Sequence, residues 1–165
     1  MDSLTETLIE SWSRQNQIVV NVARAMDADR LAAKAAEGEM DIAAHLCHIH
    51  SVRRWWWSQI NQSEEYPGER LFNESDEPCR DVARIAEQLD ISSQAVAETM
   101  RRTLQSGQPE KSPYDHPILF LHHMIWHEGW HVGAVLLALR VNGFDVSDEW
   151  EEENLWGLWR TEEWE

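Results

Sequence analysis

The chain contains little of what several classes of protein require. It has only two cysteines, Cys47 and Cys79, which are too few for the disulfide framework of a small secreted domain. No apolar run approaches the roughly 20 residues of a membrane span, and the acidic first stretch, MDSLTETLIESW, has no apolar signal core. We therefore expect a reduced, cytoplasmic setting and no membrane partner.

Positive charge is also scarce. Lys and Arg number 14 against 30 Asp and Glu, so the formal net charge is −16. Nucleic acids and anionic membranes carry the same sign, and repulsion argues against both as partners. The hydrophobic fraction of 42% is enough for a folded core. We expect one domain over residues 1–165 that acts on a small-molecule substrate.

Helical periodicity runs through most of the chain, and no segment has the character of a strand. Apolar spacing predicts four long helices, over residues 3–26, 42–61, 78–105 and 116–141, with a shorter helical piece at 29–36. Asp41 is the expected N-cap of the second long helix. Asp115 and Pro117 open the fourth long helix, and Gly143 closes it.

The connections between these helices predict a fold. The polar stretch QSEEYPGERLFNESDEP between the second and third long helices is long for a bundle connection, so it should cross over. We expect an all-α four-helix bundle with a short C-terminal helical tail. The tryptophans of the tail expose more apolar surface than a monomer usually shows, which favours a homodimer; they are Trp150, Trp156, Trp159 and Trp164.

The stretch WHEGWH, residues 126–131, contains the pattern H-E-x-x-H. On a helix, His123, His127 and His131 share one face, and imidazoles at positions i and i+4 can chelate one ion. His123 and His131 are separated by a rise of about 12 Å, so one ion takes either 123/127 or 127/131. His122 falls on the opposite side.

The second helix carries its own histidines, His45, His48 and His50. His48 shares its face with Val52 and Trp55, His45 lies about 60° away, and His50 is roughly opposite. One histidine from this face would complete a three-histidine site, whose open coordination position is the catalytic arrangement. The alternative is a set of hydrogen-bonded core histidines.

Aromatic and acidic residues near these histidines suggest further roles. Trp55, Trp126 and Trp130 are interpreted as core or pocket wall, and Val52 and Met124 as pocket residues that share the histidine faces. In a metalloprotease Glu128 would be the general base. Such enzymes hold an extended peptide on a strand edge, and no strand is expected here, so the protease is a minor alternative.

Two stretches resemble a known family. LCHIHSVRRWW resembles the second-helix motif, and HHMIWHEGWHVGAVLLALRVNG the fourth-helix motif, of the DinB-like or YfiT-like proteins; the tail LWGLW resembles C-termini of the same family. One histidine on the second helix and two on the fourth, with a long crossover between them, extend this similarity over nearly the whole chain.

The resemblance implies a four-helix bundle that holds zinc or nickel on His48, His127 and His131. Members include S-transferases that use a low-molecular-weight thiol such as bacillithiol, mycothiol-dependent maleylpyruvate isomerases, and proteins described as metal-dependent hydrolases. The family commonly has Arg-Gly-Gln after its last metal histidine, whereas this chain has Val132, Gly133 and Ala134. That departure bears on thiol use but leaves the three ligands unaffected.

The expected function is therefore metal-assisted activation of a thiol or of water, by a transferase or a hydrolase. Glu128 or His123 is the expected base or orienting partner. A bundle that binds a metal or small ligand without catalysis is the alternative from another class.

Overall fold

Long helices account for most of the protein. The computed structural model describes residues 3–106 and 114–161. Its elements are α1 (Ser3–Arg24), α2 (Ala28–Ala32), α3 (Ile42–Ile60), α4 (Val82–Ser106), α5 (Pro117–Val141) and α6 (Asp148–Glu151), followed by a π-helical turn, Glu152–Trp156, and a 3₁₀ turn, Gly157–Trp159. These described residues form two isolated bridges and no strand. None of their helices is long and apolar enough to cross a membrane. The predicted all-α class is confirmed.

The four long helices form a closed ring. Both α1 and α3 pack against α4 and against α5, whereas α1 and α3 make no comparable contact with each other. A bundle in which α3 and α5 are direct neighbours brings the two predicted histidine helices together.

The predicted helix ends are partly confirmed. Asp41 caps α3, accepting a hydrogen bond from the backbone N of Ala44 at 2.8 Å. Gly143 follows α5 with a φ of +75°, a conformation that suits glycine. The expectation that Asp115 opens α5 is wrong, because the side chain of His116 accepts the hydrogen bond from Ile118 N.

The starts and ends of two other helices differ from the prediction. α4 begins at Val82 rather than at 78, because the Asp81 carboxylate accepts from Arg84 N and acts as the cap. The short helix covers 28–32 rather than 29–36, because Ala33 leaves the helix in an extended conformation.

The apolar core is divided into two clusters. The larger one contains the C-terminal halves of α1 and α5, the N-terminal halves of α3 and α4, α2, and Leu155 of the tail. The smaller one is built from Ile9, Trp12, Val96, Met100, Phe120, Leu121 and Met124. Between these clusters lies a buried polar layer.

An ion pair forms the centre of that layer. Arg53 of α3 donates two parallel hydrogen bonds to Glu128 of α5, at 2.7 and 2.8 Å, and both side chains are completely buried. The guanidinium also donates to Leu89 O of α4 and to Asn16 Oδ1 of α1, both at 2.8 Å. It lies 4.8 Å from the ring centre of Trp12. One side chain therefore connects all four helices of the bundle.

A buried histidine, His50, anchors the connection between α3 and α4, which is called the crossover. The Nδ1 of His50 lies 2.9 Å from Gln88 O, and its Nε2 lies 2.8 Å from Glu69 O. The Gln88 side chain accepts from Glu69 N at 2.7 Å. A Cβ on Gly68 would come within 2.8 Å of the Tyr66 ring, so this close approach requires glycine. His50 thus holds the crossover and is not a ligand candidate.

The tail packs on the bundle but keeps part of its tryptophan surface exposed. Leu155 is buried and Trp150 packs against the larger core cluster, whereas Trp156 is 53% and Trp159 39% exposed. Trp164 lies outside the described residues. The homodimer stays a prediction, and light scattering at micromolar concentration would test it.

Replacing Glu128 by Gln should lower the free energy of unfolding by about 3–5 kcal/mol, because it leaves the buried Arg53 charge uncompensated. Urea denaturation of the metal-free protein measures this. The matched control is Glu98→Gln, because Glu98 is exposed and pairs with Arg101 at the surface, so that its loss should change stability by less than about 1 kcal/mol. Equal effects of the two substitutions would contradict a structural role for the buried pair.

Candidate metal centre

Three histidines from α3 and α5 converge. His48, His127 and His131 each offer a ring nitrogen, and these three atoms lie within 4.8 Å of one another. Their ring centres are 4.5 to 5.4 Å apart. His48 and His127 are half-buried and His131 is buried. The structure thus brings together the three residues that the family resemblance selected, and it leaves His123 outside the group.

Neighbouring residues explain why these rings meet. His127 and His131 are one helical turn apart on α5, and Glu128 lies between them in the sequence. The bond from Glu128 to Arg53 ties that turn of α5 to α3, five residues after His48. The buried ion pair therefore sets the distance between the two helices at the histidines.

The geometry fits a divalent metal ion. Nε2 of His127 lies 3.2 Å from Nε2 of His131, and two nitrogens bound tetrahedrally at 2.0–2.1 Å would be about 3.3 Å apart. An all-imidazole donor set suits zinc, nickel and copper. These residues can hold one such ion on His48, His127 and His131.

Burial keeps the three rings neutral. It lowers the pKa of His131 to about 3, with further lowering by His127, His48 and His45. It lowers the pKa of His127 to about 4, with further lowering by His48 and His123, and it lowers the pKa of His48 as well. Neutral imidazoles have free lone pairs, which is the form that binds metal.

His45 contacts one of the three histidines, His131, through a ring nitrogen. Its Nδ1 lies 2.8 Å from Nδ1 of His131, on the side of that ring away from His127. One of the two Nδ1 atoms donates and the other accepts, so the contact orients the His131 ring. The ring of Trp130 packs 4.8 Å from His131 and 6.3 Å from His45. The sequence signal for His45 was its position three residues before His48, on a neighbouring part of the helix face.

An aromatic group lies on the other side of the centre, next to His127. The Tyr114 hydroxyl hydrogen-bonds Nδ1 of His123, whose ring is 6.4 Å from His127. The Trp56 ring is 5.2 Å from Tyr114 and 6.3 Å from His123. Sequence reasoning missed Tyr114 and Trp56, because one lies in a loop and the other in the middle of three consecutive tryptophans.

The role suggested for Glu128 as catalytic base is corrected by the structure. Its side chain is completely buried, and both of its oxygens accept from Arg53. A base must reach the proton that it removes. Glu128 is thus a structural partner of the centre, and this removes the observation that favoured a metalloprotease.

The predicted pocket residues differ in their exposure. Trp55, Trp126 and Trp130 are 53%, 70% and 56% exposed, so none of the three is a core residue, and their interpretation as pocket wall stays a prediction. Met124 is fully buried in the smaller core cluster and cannot line an open pocket. Val52 packs partly buried against that cluster. Of the predicted tryptophans, Trp130 is the one whose ring packs against the metal-centre histidines.

These observations define a class of protein: an all-α bundle with a three-histidine cluster that can hold a metal ion. The model of the DinB family matches residues 1–151. The chain therefore belongs to the DinB family. No curated protein matches it, and no solved structure matches it.

The histidine pKa values predict how the metal-free protein responds to acid. Below pH 6.5 the unfolded chain protonates His127 and His131, whereas the folded protein does so only near pH 4 and pH 3. The free energy of unfolding should therefore fall as the pH decreases from 6.5 towards 3, and this contribution should be constant above that window.

Chemical denaturation between pH 4 and pH 7, with a chelator present, measures this dependence for the wild type and for His131→Phe. In His131→Phe the slope of the unfolding free energy against pH should be smaller than in the wild type, by an amount that corresponds to at most about one proton. His122→Phe, at an exposed position of the same helix, should keep the wild-type slope. Identical slopes in all three proteins would contradict a neutral His131 in the folded state.

Proposed function

We propose that this protein is a metal-dependent enzyme that holds one zinc or nickel ion on His48, His127 and His131 and activates a small thiol or water as a nucleophile. The convergence of these three rings carries the proposal. The family membership supports it. Such an ion, when bound, supplies Lewis-acid chemistry that lowers the pKa of a thiol or water at neutral pH.

The donor set favours that chemistry. The three rings are neutral, so they leave the full positive charge of the ion available at the open position. His45 holds the His131 ring in one orientation. Among the described residues three protein ligands converge, and a three-ligand set corresponds to a catalytic rather than a closed structural site.

The His123–Tyr114 pair is the proposed acid–base group. His123 is exposed, one helical turn from His127, and its Nδ1 is engaged by the Tyr114 hydroxyl. In the proposed tautomer the Nδ1–H of His123 donates to the Tyr114 oxygen, so Nε2 carries the lone pair that accepts a proton from the nucleophile and returns it to a leaving group.

Thiol transfer and hydrolysis are the two candidate reactions. The resemblance to thiol-dependent S-transferases supports the first. One feature of the chain favours hydrolysis. Where the family commonly has Arg and Gln, this chain has Val132, which is a buried core residue, and Ala134, which has no polar side chain. We propose thiol S-transfer as the main reaction and hydrolysis as the second.

Substitution of the three ligands should remove the metal. We expect about one zinc or nickel ion per chain by elemental analysis, and loss of nearly all of it in His48→Ala, His127→Ala and His131→Ala. His45→Ala should retain an ion but bind it roughly 10–100-fold more weakly, since outer hydrogen-bond partners tune affinity by that amount.

His122→Ala is the matched control, because His122 is exposed on α5 and lies outside the cluster. It should retain wild-type metal content. Full occupancy in His131→Ala, with folding checked by circular dichroism, would contradict the ligand assignment.

Measurements of turnover distinguish thiol transfer from hydrolysis. The metal-loaded protein is given a chloronitrobenzene electrophile with bacillithiol, and an activated ester without thiol. Product that requires both thiol and metal supports the transferase, and thiol-independent ester cleavage supports the hydrolase. His123→Phe should reduce either rate about 100-fold while metal stays bound, because general acid–base groups contribute about 10²–10⁴. No turnover by the loaded protein with a broad set of electrophiles would leave a non-catalytic metal binder.

A further inference from the structure

Two arginines differ from all the others in the protein. Every other arginine of the described residues forms an ion pair with an Asp or Glu. Arg54 and Arg70 form none with any described carboxylate, although the chain carries an excess of 16 negative charges. Both line the same cavity, of about 480 Å³, between α3 and the crossover. Two guanidinium groups without counterions in such an acidic protein indicate a site for an external anion.

Four of the ten residues that line this Arg54–Arg70 cavity are aromatic. Arg54 lies over the ring of Tyr66, 5.5 Å from its centre, and Trp57 packs edge-on against Tyr66 with ring centres 5.3 Å apart. Trp55 and Phe72 add two further rings. A volume of this size accommodates a small organic molecule. Aromatic faces favour a planar body, and guanidinium groups favour a carboxylate bound in a bidentate manner.

The acidic residues of the cavity do not neutralise these arginines. Glu64 is bound at 2.8 Å to Arg102, which does not line the cavity. Asp76 is exposed, with a φ of +57°, and its carboxylate forms no ion pair with either cavity arginine. It weakens the positive field of the cavity without occupying it.

The cavity is separate from the metal centre. None of His48, His127 and His131 lines it, and α3 is the one long helix that contributes to both. Residues of the crossover form one side of the cavity, and His50 anchors the crossover through its contact with Glu69 O. The site therefore does not depend on a bound metal ion.

We propose that the Arg54–Arg70 cavity binds a small planar organic anion of the aryl carboxylate class, with its carboxylate on the two guanidinium groups and its ring among the aromatic side chains that line the cavity. This inference is independent of the proposed enzymatic reaction. It requires neither the three-histidine centre nor a thiol.

Titration calorimetry of the full chain with benzoate tests the proposal, with chelator present so that binding at a metal ion is excluded. Benzoate should bind saturably and more weakly at high salt. Arg54→Gln and Arg70→Gln should each weaken binding by about tenfold or more, since hydrogen bonds to charged groups are the strong ones. Asp76→Asn, which keeps a side chain that tolerates positive φ, should strengthen it.

The control is Arg84→Gln, which removes one positive charge from an exposed arginine that pairs with Glu69 and does not line the cavity. It should bind benzoate as the wild type does. Neutral benzamide should not bind measurably. Equal weakening in Arg84→Gln, absence of saturable benzoate binding, or binding of inorganic phosphate as tight as that of benzoate would each overturn the assignment.

Discussion

The buried pair of Arg53 and Glu128 is the interaction on which the arrangement of the bundle depends. Two fully buried charges are unfavourable unless each finds several partners. Here the guanidinium uses a carboxylate on α5, a carbonyl on α4 and an amide on α1, with the Trp12 ring nearby. Few other packings of four helices would satisfy all of these groups together. The pair therefore specifies one relative position of α3 and α5.

The histidine centre follows from that position. Because Glu128 lies between His127 and His131 in sequence, the bond that holds α5 to α3 also holds both rings beside His48. The same burial lowers the pKa values of all three rings, so they meet as neutral donors. The contact between the Nδ1 atoms of His45 and His131 then orients the His131 ring. A polar layer that divides the core thus serves both the fold and the candidate site.

Much of this was predictable from periodicity and resemblance. The spacing of the histidines on α5 and the face of His48 on α3 are local properties of a helix, and they narrowed the candidates; the family resemblance then selected the three histidines that the structure brings together. The H-E-x-x-H pattern was misleading for Glu128, because its partner Arg53 is 75 residues away in the sequence. No local pattern reveals such a pair.

The surroundings of individual side chains were the other property that the sequence did not predict. Trp126 and Met124 carry no sign in the sequence of whether they are exposed or enclosed, because α5 is apolar on nearly every face. The role of His50 depends on Glu69 of the crossover and Gln88 of α4, which are distant from it in the sequence. Likewise, the pairing of most arginines, and its absence at Arg54 and Arg70, becomes visible only once the helices are packed.

The most direct test of the account is a crystal structure of the zinc- or nickel-loaded protein, with anomalous scattering recorded at the absorption edge of the metal. The account predicts one strong peak, about 2.0–2.1 Å from a ring nitrogen of each of His48, His127 and His131, with Glu128 still bound to Arg53. A peak bound instead by His123, by His45 or by carboxylates, or a Glu128 side chain turned towards the ion, would contradict it.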